Sequence, residues 1–186
     1  MQENGNSESK LCGRVDLERI AIAGQSQGGV AVVNAINHYD NGRLYCAAYC
    51  ASITSPFWGQ ADKLGADWQY DISKLKVPCL MIAGTGFLDA GLATDILAQE
   101  GQGISPLYAL QENYDQIPNE TIKIMARRIG IDHGDIFNAS DGYMTAWFLW
   151  LLNDDPEAAM VFAGNGAELR NNPLYQDVRI NIPAVD

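Results

Sequence analysis

The chain has 186 residues, of which 47% are hydrophobic and 19% are charged. This length favours a single domain, and this composition excludes a disordered polypeptide. The formal net charge of −11 repels phosphate backbones and anionic lipids, so we expect no nucleic-acid partner. No apolar run approaches the roughly 20 residues that a membrane-spanning helix requires, and we therefore expect no membrane span.

The N-terminal residues are rich in Asn, Ser and Glu. They predict a flexible lead-in, 1–14, to one domain that covers 15–186. The lead-in contains no apolar segment of the kind found in signal peptides. A chain that is complete as printed would therefore be cytoplasmic.

Four cysteines do not make a disulfide framework in a chain of this length. Cys46 and Cys50 lie in one predicted strand, which would separate their Cα atoms by ~13 Å, too far for a bridge. The sequence contains neither a Cys-x-x-Cys motif nor a Cys/His cluster. We expect reduced core thiols and no structural zinc.

Apolar, β-rich segments alternate with helical patterns along the chain. Strands are predicted at 19–23, 44–53, 77–83 and 121–129. Helices are predicted at 28–37, 90–99 and 143–152, and a last helix at Pro156 with Asp154 or Asp155 as its N-cap. Strands that are apolar on both faces are typical of a parallel sheet covered by helices on each side. The pattern therefore predicts an α/β fold with a predominantly parallel sheet.

The segment 54–76 interrupts this alternation and is rich in aromatic residues. It contains Phe57, Trp58, Trp68 and Tyr70. Long loops on a rigid scaffold often bind ligands, which makes 54–76 a candidate lid or substrate loop. In the alternative interpretation, its aromatic side chains only cover the edge of the core.

The segment from Gly24 to Gly28 fits the pattern Gly-x-Ser-x-Gly, with Ser26 at its centre. It follows an apolar strand and precedes a helix of small residues, which is the setting of a nucleophile elbow. In such an elbow the serine occupies a strained turn, and we expect both flanking glycines to keep side chains out of its way. The helix N-terminus behind the serine favours developing negative charge. The alternative is a tight turn with an incidental serine.

A serine nucleophile needs a base, normally a histidine that a carboxylate orients. Of the two histidines, His38 ends the helix after the elbow, whereas His133 follows the fourth predicted strand. Active sites of α/β proteins form in polar loops at the carboxyl ends of strands, so His133 is the predicted base. We expect His38 to satisfy terminal carbonyl groups and the helix dipole.

The orienting acid is expected between Ser26 and His133 in the sequence. Asp89 follows the third predicted strand and is the preferred residue. Asp95 is the alternative, and it would otherwise be a charge on a helix surface. Three other acids are poorly placed, because they adjoin the histidine in one loop or precede the third strand: Asp132, Asp135 and Asp71.

The residues 19–29, the strand that leads to Asp89 and the loop at His133 resemble the C-terminal half of an α/β-hydrolase. Within that superfamily the chain is similar to the branch of dienelactone hydrolases, chlorophyllases and cutinase-like polyester hydrolases. The similarity covers about residues 15–152.

This resemblance implies a serine hydrolase of carboxylic esters. Its nucleophile would be Ser26, its base His133 and its orienting acid Asp89. The backbone N–H of Gln27 would form one half of the oxyanion hole. The aromatic residue that lines the acyl site in the polyester-cleaving branch would correspond to Trp58.

The chain departs from this family in one respect. In the family, the nucleophile follows the fifth strand of an eight-stranded sheet, but only 25 residues precede Ser26 here. The resemblance therefore implies a partial fold that lacks the first four strands and the loop with the second oxyanion donor. The strand before the elbow would then present a bare apolar edge.

These expectations lead to two functions. The first is cleavage of a small-molecule or polymeric ester by a Ser-His-Asp triad through an acyl-enzyme, with no metal or organic cofactor. The second is that of a truncated, non-catalytic hydrolase fragment that folds by association with a partner, or with itself through the exposed edge. Another reaction on the same scaffold, such as acyl transfer, is a further alternative because a fold alone does not determine chemistry.

Overall fold

One sheet of five strands forms the centre of the computed structural model, which describes residues 2–39, 43–60, 62–91 and 103–183. In chain order and in spatial order the strands are β1 (Ala21–Gln25), β2 (Ala47–Ala51), β3 (Cys79–Gly84), β4 (Lys123–Arg128) and β5 (Tyr175–Asn181). Strands β1 to β4 are parallel, and β5 is antiparallel to β4. The predicted α/β class and the mostly parallel sheet are confirmed.

The described residues also form helices. In chain order these are α1 (Gln2–Gly5), α2 (Gln27–His38), α3 (Phe87–Ala90), α4 (Leu107–Gln116), α5 (Tyr143–Asn153), α6 (Pro156–Met160) and α7 (Glu168–Asn171). Short 3₁₀ helices lie at Pro56–Gly59, Ala66–Trp68 and Ile72–Lys74. Of the two predicted N-caps of α6, Asp155 is the one whose carboxylate accepts backbone N–H groups. The helix predicted at 90–99 lies almost wholly outside the described residues.

Strand β3 shows why the central strands are apolar on both faces. Successive side chains of a strand point to opposite faces of the sheet. Leu80 and Ile82 accordingly pack in one core with Trp147 of α5, whereas Met81 packs in the other core with Val33 of α2. Helices therefore cover both faces of the sheet, as the two-sided apolar pattern predicts.

Strand β1 forms one edge of the sheet and pairs with β2 alone among the described strands. The carbonyl of Ile20 accepts a hydrogen bond from the β2 side (2.7 Å), and the N–H of Ser26 donates to the last residue of β2 (2.9 Å). Backbone groups of successive residues in a strand point to opposite sides. The N–H and C=O groups of Ala21, Ala23 and Gln25 therefore face away from β2.

The sequence pattern does not predict β5, because a bulge breaks its two-residue alternation. The pairing with β4 shifts between Met125 and Arg127, and Asp177 opposite them has φ of 55°. Tyr175 and Val178 consequently pack in the same core although they are three residues apart. The Asp177 carboxylate pairs with the Arg127 side chain at 2.8 Å, and this side chain is only 2% exposed.

Other features of the described residues concern the N-terminus and the thiols. The amide of Asn4, in α1, bonds both the N–H and the C=O of Val15. All four cysteines are free. In the described ranges, no helix combines the length and the apolar character that crossing a bilayer requires.

The substitution Trp147→Ala tests the packing of α5. Trp147 is fully buried, and its indole N–H donates to the carbonyl of Ala48 at 2.9 Å. Its removal should lower the free energy of unfolding by about 3–5 kcal/mol. Leu149 lies on the same helix and is 39% exposed, so Leu149→Ala should cost about 1 kcal/mol or less. Urea unfolding followed by circular dichroism measures both, and equal losses would contradict the described burial of α5.

Candidate active site

Four polar side chains follow the four parallel strands at one edge of the sheet. Ser26 comes directly after β1, and Ser52 comes directly after β2. Asp89 lies in α3, which follows β3, and His133 lies in the loop after β4. The carboxyl ends of parallel strands share one edge, where ligands of α/β proteins bind. The predicted nucleophile, acid and base therefore lie at the same edge of the sheet.

Ser26 occupies a strained turn between β1 and α2. Its φ is 58° and its ψ is −122°, a conformation that residues other than glycine rarely adopt. Its N–H donates to the carbonyl of Ala51, and its carbonyl accepts from the N–H of Gly29, both at 2.9 Å. Its hydroxyl does not cap α2 and makes no hydrogen bond within the described part of the chain. The strand–turn–helix setting predicted for Ser26 is present.

The two glycines of the motif have different surroundings. A Cβ atom on Gly24 would overlap the carbonyl of Gly28, so β1 and α2 approach this closely only because residue 24 is glycine. A Cβ atom on Gly28 would meet nothing within 4 Å. Gly29, outside the motif, lies against Ile53, whose Cβ would be 3.0 Å from an added Cβ. Gly24 is therefore required by the close approach of β1 to α2 and not by space around the serine, while Gly28 stands in open space.

Asp89 and His133 form a hydrogen-bonded pair. The Asp89 side chain is 0% exposed, and its Oδ1 lies 2.7 Å from Nδ1 of His133. Its Oδ2 accepts from the N–H of Gly84 at 2.7 Å and from the hydroxyl of Ser52. A buried carboxylate is tolerated when hydrogen-bond donors surround it, as they do here. Because a carboxylate only accepts hydrogen bonds, this contact suits a donor N–H at Nδ1 and leaves Nε2 outside the pair.

Ser52 is a residue of this site that the sequence does not predict. It is fully buried, it has φ of 42°, and its hydroxyl donates to Asp89. Nothing in the sequence distinguishes it from an ordinary serine at a strand end. Its partner is 37 residues away, so the contact depends on the pairing of β2 with β3.

The loop that carries His133 is joined to the strand that leads to Ser26. The side-chain amide of Gln25 donates a hydrogen bond to the backbone carbonyl of His133. No hydrogen bond joins the Ser26 hydroxyl to the imidazole among the described residues. In enzymes without substrate this bond is often long and tightens only when substrate binds. The two side chains are thus held on neighbouring segments of backbone.

The amino end of α2 presents a free N–H group directly after Ser26. The first turn of a helix has no internal acceptors for its N–H groups. Within the described chain, the N–H of Gln27 donates to no acceptor. These groups form the positive end of the helix dipole and favour an anion. Gln27 therefore lies at the position where the resemblance implies an oxyanion donor.

Trp58 lies in the 3₁₀ helix Pro56–Gly59, which follows β2. Its indole N–H donates to the carbonyl of Gly103 at 2.9 Å, and the side chain is half-buried. The same connection approaches the elbow, since the N–H of Thr54 lies 3.4 Å from the carbonyl of Ser26. The predicted substrate-contacting residue is thus on the segment next to the serine.

The remaining candidates from the sequence lie elsewhere. His38 is exposed at the end of α2, about 17 Å along the helix axis from its first residue. Asp71 precedes β3, where it caps the 3₁₀ helix Ile72–Lys74. Asp95 lies outside the described residues. Tyr70, from the aromatic segment, bonds Asn113 of α4 and packs against the core, as the alternative interpretation of that segment expects.

We also searched the described residues for metal-binding clusters and compared the chain with known proteins. Among the residues that the structure describes, no group of three or more His, Cys, Asp or Glu side chains could hold a metal ion. A comparison of the chain with models of known protein families found no match. A search for similar curated proteins found none with significant similarity.

Two substitutions in the elbow test the close contact of β1 with α2. Gly24→Ala places a methyl group against the backbone of Gly28, which should cost about 1–3 kcal/mol of stability. Gly28→Ala adds a methyl group in open space and removes a glycine from a helix, so stability should stay equal or rise by up to about 1 kcal/mol. Thermal unfolding compares the two variants. A Gly24→Ala protein as stable as the Gly28→Ala protein would contradict the close contact of β1 with α2.

Proposed function

We propose that the protein is a serine hydrolase that cleaves carboxylic esters. The observation that carries this proposal is the 2.7 Å hydrogen bond between His133 Nδ1 and the buried carboxylate of Asp89, at the same sheet edge as the strained turn of Ser26. A carboxylate that binds Nδ1 keeps Nε2 of the imidazole free to accept a proton. Together with an unbonded serine hydroxyl, this pair supports a Ser-His-Asp triad.

In the acylation step, Oγ of Ser26 attacks the ester carbonyl carbon while Nε2 of His133 takes the hydroxyl proton. The carbonyl oxygen becomes an oxyanion beside the N–H of Gln27. The C–O bond to the alcohol then breaks, and the imidazolium gives its proton to the departing alcohol. Asp89 remains ionised and stabilises the imidazolium throughout.

In the deacylation step, a water molecule attacks the carbonyl carbon of the acyl-enzyme. Nε2 of His133 takes one proton from this water, and the ester bond to Ser26 breaks as Oγ regains that proton. The products are a carboxylic acid and an alcohol. Side chains and water supply all the groups that react, so the proposal includes no metal or organic cofactor.

The resemblance to α/β-hydrolases supports this proposal. We assign a partial α/β-hydrolase fold, with Gln27 as an oxyanion donor and Trp58 as a wall of the acyl site. Covalent labelling of the serine tests the proposal without requiring rapid turnover.

A fluorophosphonate probe should label the wild-type protein and fail to label Ser26→Ala, because such probes react with an activated serine. Ser7→Ala is the matched control, since Ser7 is an exposed serine near the N-terminus and should not affect labelling. Intact mass spectrometry measures the adduct, and peptide mapping locates it. A folded wild-type sample that stays unlabelled would contradict the proposal.

Product analysis distinguishes hydrolysis from transfer on the same scaffold. With a p-nitrophenyl ester in plain buffer, the wild-type protein should release nitrophenol and the free acid together. When a competing alcohol is added, hydrolysis predicts that most acyl groups still reach water. Predominant formation of the new ester would favour an acyltransferase instead.

A second candidate function is association through β1. The observation that favours it is the edge position of this strand, with the backbone groups of Ala21, Ala23 and Gln25 facing away from β2. An apolar edge strand with unpaired N–H and C=O groups is a template for pairing with another strand. In this alternative, the chain acts as a non-catalytic fragment whose edge pairs with a second copy or with a partner.

Proline substitutions test this edge. Ala23→Pro removes an N–H group that faces away from β2, which an edge strand tolerates, and should abolish self-pairing. Ile22→Pro removes a group that faces β2 and should destabilise the fold instead. Light scattering after size exclusion measures the mass of the wild type and of Ala23→Pro. A wild-type protein that has the mass of one chain at all concentrations would contradict self-association.

A further inference from the structure

The carboxylate of Asp132 joins the loop that carries His133 to the helix that carries Asp89. Its Oδ1 accepts from the N–H of His133 at 2.8 Å, from the N–H of Leu88 at 2.9 Å and from the N–H of Asp89 at 3.1 Å. Its Oδ2 lies 3.1 Å from the N–H of Leu88. One side chain therefore binds the backbone of the proposed acid and that of the proposed base.

This contact also supplies a cap that α3 lacks. Residue 86, at the N-cap position, is glycine and offers no side chain to the N–H groups of the first turn. Asp132 provides the carboxylate from another part of the chain, and it lies at the helix end where negative charge is favourable. The carboxylate is therefore one of the contacts that hold α3, and with it the backbone of Asp89.

Gly86 gives independent support for this close approach. A Cβ atom on Gly86 would overlap Cβ and Cγ of Asp132, so the carboxylate reaches α3 only because residue 86 has no side chain. The two segments are also joined by the N–H of Gly86, which donates to the carbonyl of Ile131 at 2.9 Å. The Asp132 contact is thus built into both loops.

Asp132 is held in its ionised form. Burial by itself would raise the pKa of its carboxyl group, but the hydrogen bonds from the N–H groups of His133, Leu88 and Asp89, together with the nearby imidazole, outweigh this effect. The pKa therefore lies below its ordinary value. The carboxylate is consequently available as an acceptor at neutral pH.

We infer that Asp132 is a positioning residue that sets the distance between Asp89 and His133, and that it does so through the backbone of both. Its relevance to catalysis rests on the proposed ester hydrolysis. Within the described residues, the Asp132 carboxylate makes no hydrogen bond to the imidazole or to the Ser26 hydroxyl. It acts by keeping Oδ1 of Asp89 within hydrogen-bond distance of Nδ1, and thereby keeps Nε2 directed as a base.

Three variants test this inference. Asp132→Ala removes the acceptor, and Asp132→Asn retains an oxygen at the same position. Asp135→Asn is the matched control, because Asp135 is exposed in the same loop and its side chain makes no hydrogen bond or ion pair within the described chain. We expect Asp132→Ala to lower kcat for a p-nitrophenyl ester on the order of 10²-fold with little change in KM. Asp132→Asn should recover most of this loss, and Asp135→Asn should match the wild type.

Proton NMR of the imidazole provides a readout that does not require activity. The Nδ1 proton that His133 donates to Asp89 should give a far-downfield resonance in the wild type. This resonance should weaken or shift upfield in Asp132→Ala and persist in Asp135→Asn. If Asp132→Ala fails to fold, Gly86→Ala replaces it as the test. This variant keeps Asp132 in the sequence but pushes its carboxylate away from α3, and the same loss of resonance is expected.

The possible outcomes separate the two proposals. A wild type that shows the resonance but neither hydrolyses esters nor labels would contradict the proposed function, while the change in Asp132→Ala would still decide the positioning role. An unchanged resonance and an unchanged kcat in folded Asp132→Ala would overturn that role. A raised KM with an unchanged kcat would overturn it as well, because misplacement of the base should affect the chemical step.

Discussion

The parallel alignment of β1 to β4 is the constraint on which the candidate site depends. Four strands that run in one direction end at one edge, so residues that are far apart in the sequence meet there. Ser26 and Ser52 come directly after their strands, whereas Asp89 and His133 reach the edge on a short helix and a loop. A sheet in which β2 or β3 ran in the opposite direction would carry Ser52 or Asp89 to the other edge.

The buried charge of Asp89 organises the site around itself. A carboxylate with no exposure to water requires donors at both oxygens. Gly84 and Ser52 occupy Oδ2, which leaves Oδ1 to the imidazole of His133. The arrangement that satisfies this carboxylate therefore also selects Nδ1 as the ring nitrogen that faces it. Folding and the proposed chemistry depend on one set of hydrogen bonds.

The strand before the serine is also the edge of the sheet, and this couples the two candidate functions. β1 has a pairing strand on one side only. Other contacts hold this edge strand in place: Gly24 packs against the start of α2, and the N–H of Ser26 is bonded to the end of β2. A strand that pairs with the open side of β1 would lie beside the turn at Ser26. Association at this edge would thus reinforce the part of the backbone that holds Ser26.

The sequence by itself determined the four parallel strands and the candidates for two of the proposed reacting groups. Apolar segments on both faces predicted the strands, and the glycines around Ser26 and the position of His133 after a strand predicted the turn at Ser26 and the proposed base. Only the tertiary structure distinguished Ser52 and Asp132 from other polar residues, because Ser52 bonds Asp89 across 37 residues and Asp132 bonds Leu88 across 44 residues. Only the tertiary structure also identified β5 as a strand, because its bulge at Asp177 breaks the alternation of side chains. The periodicity of apolar residues can be read from the sequence, whereas a hydrogen bond between loops exists only after strand pairing has brought the two backbones together.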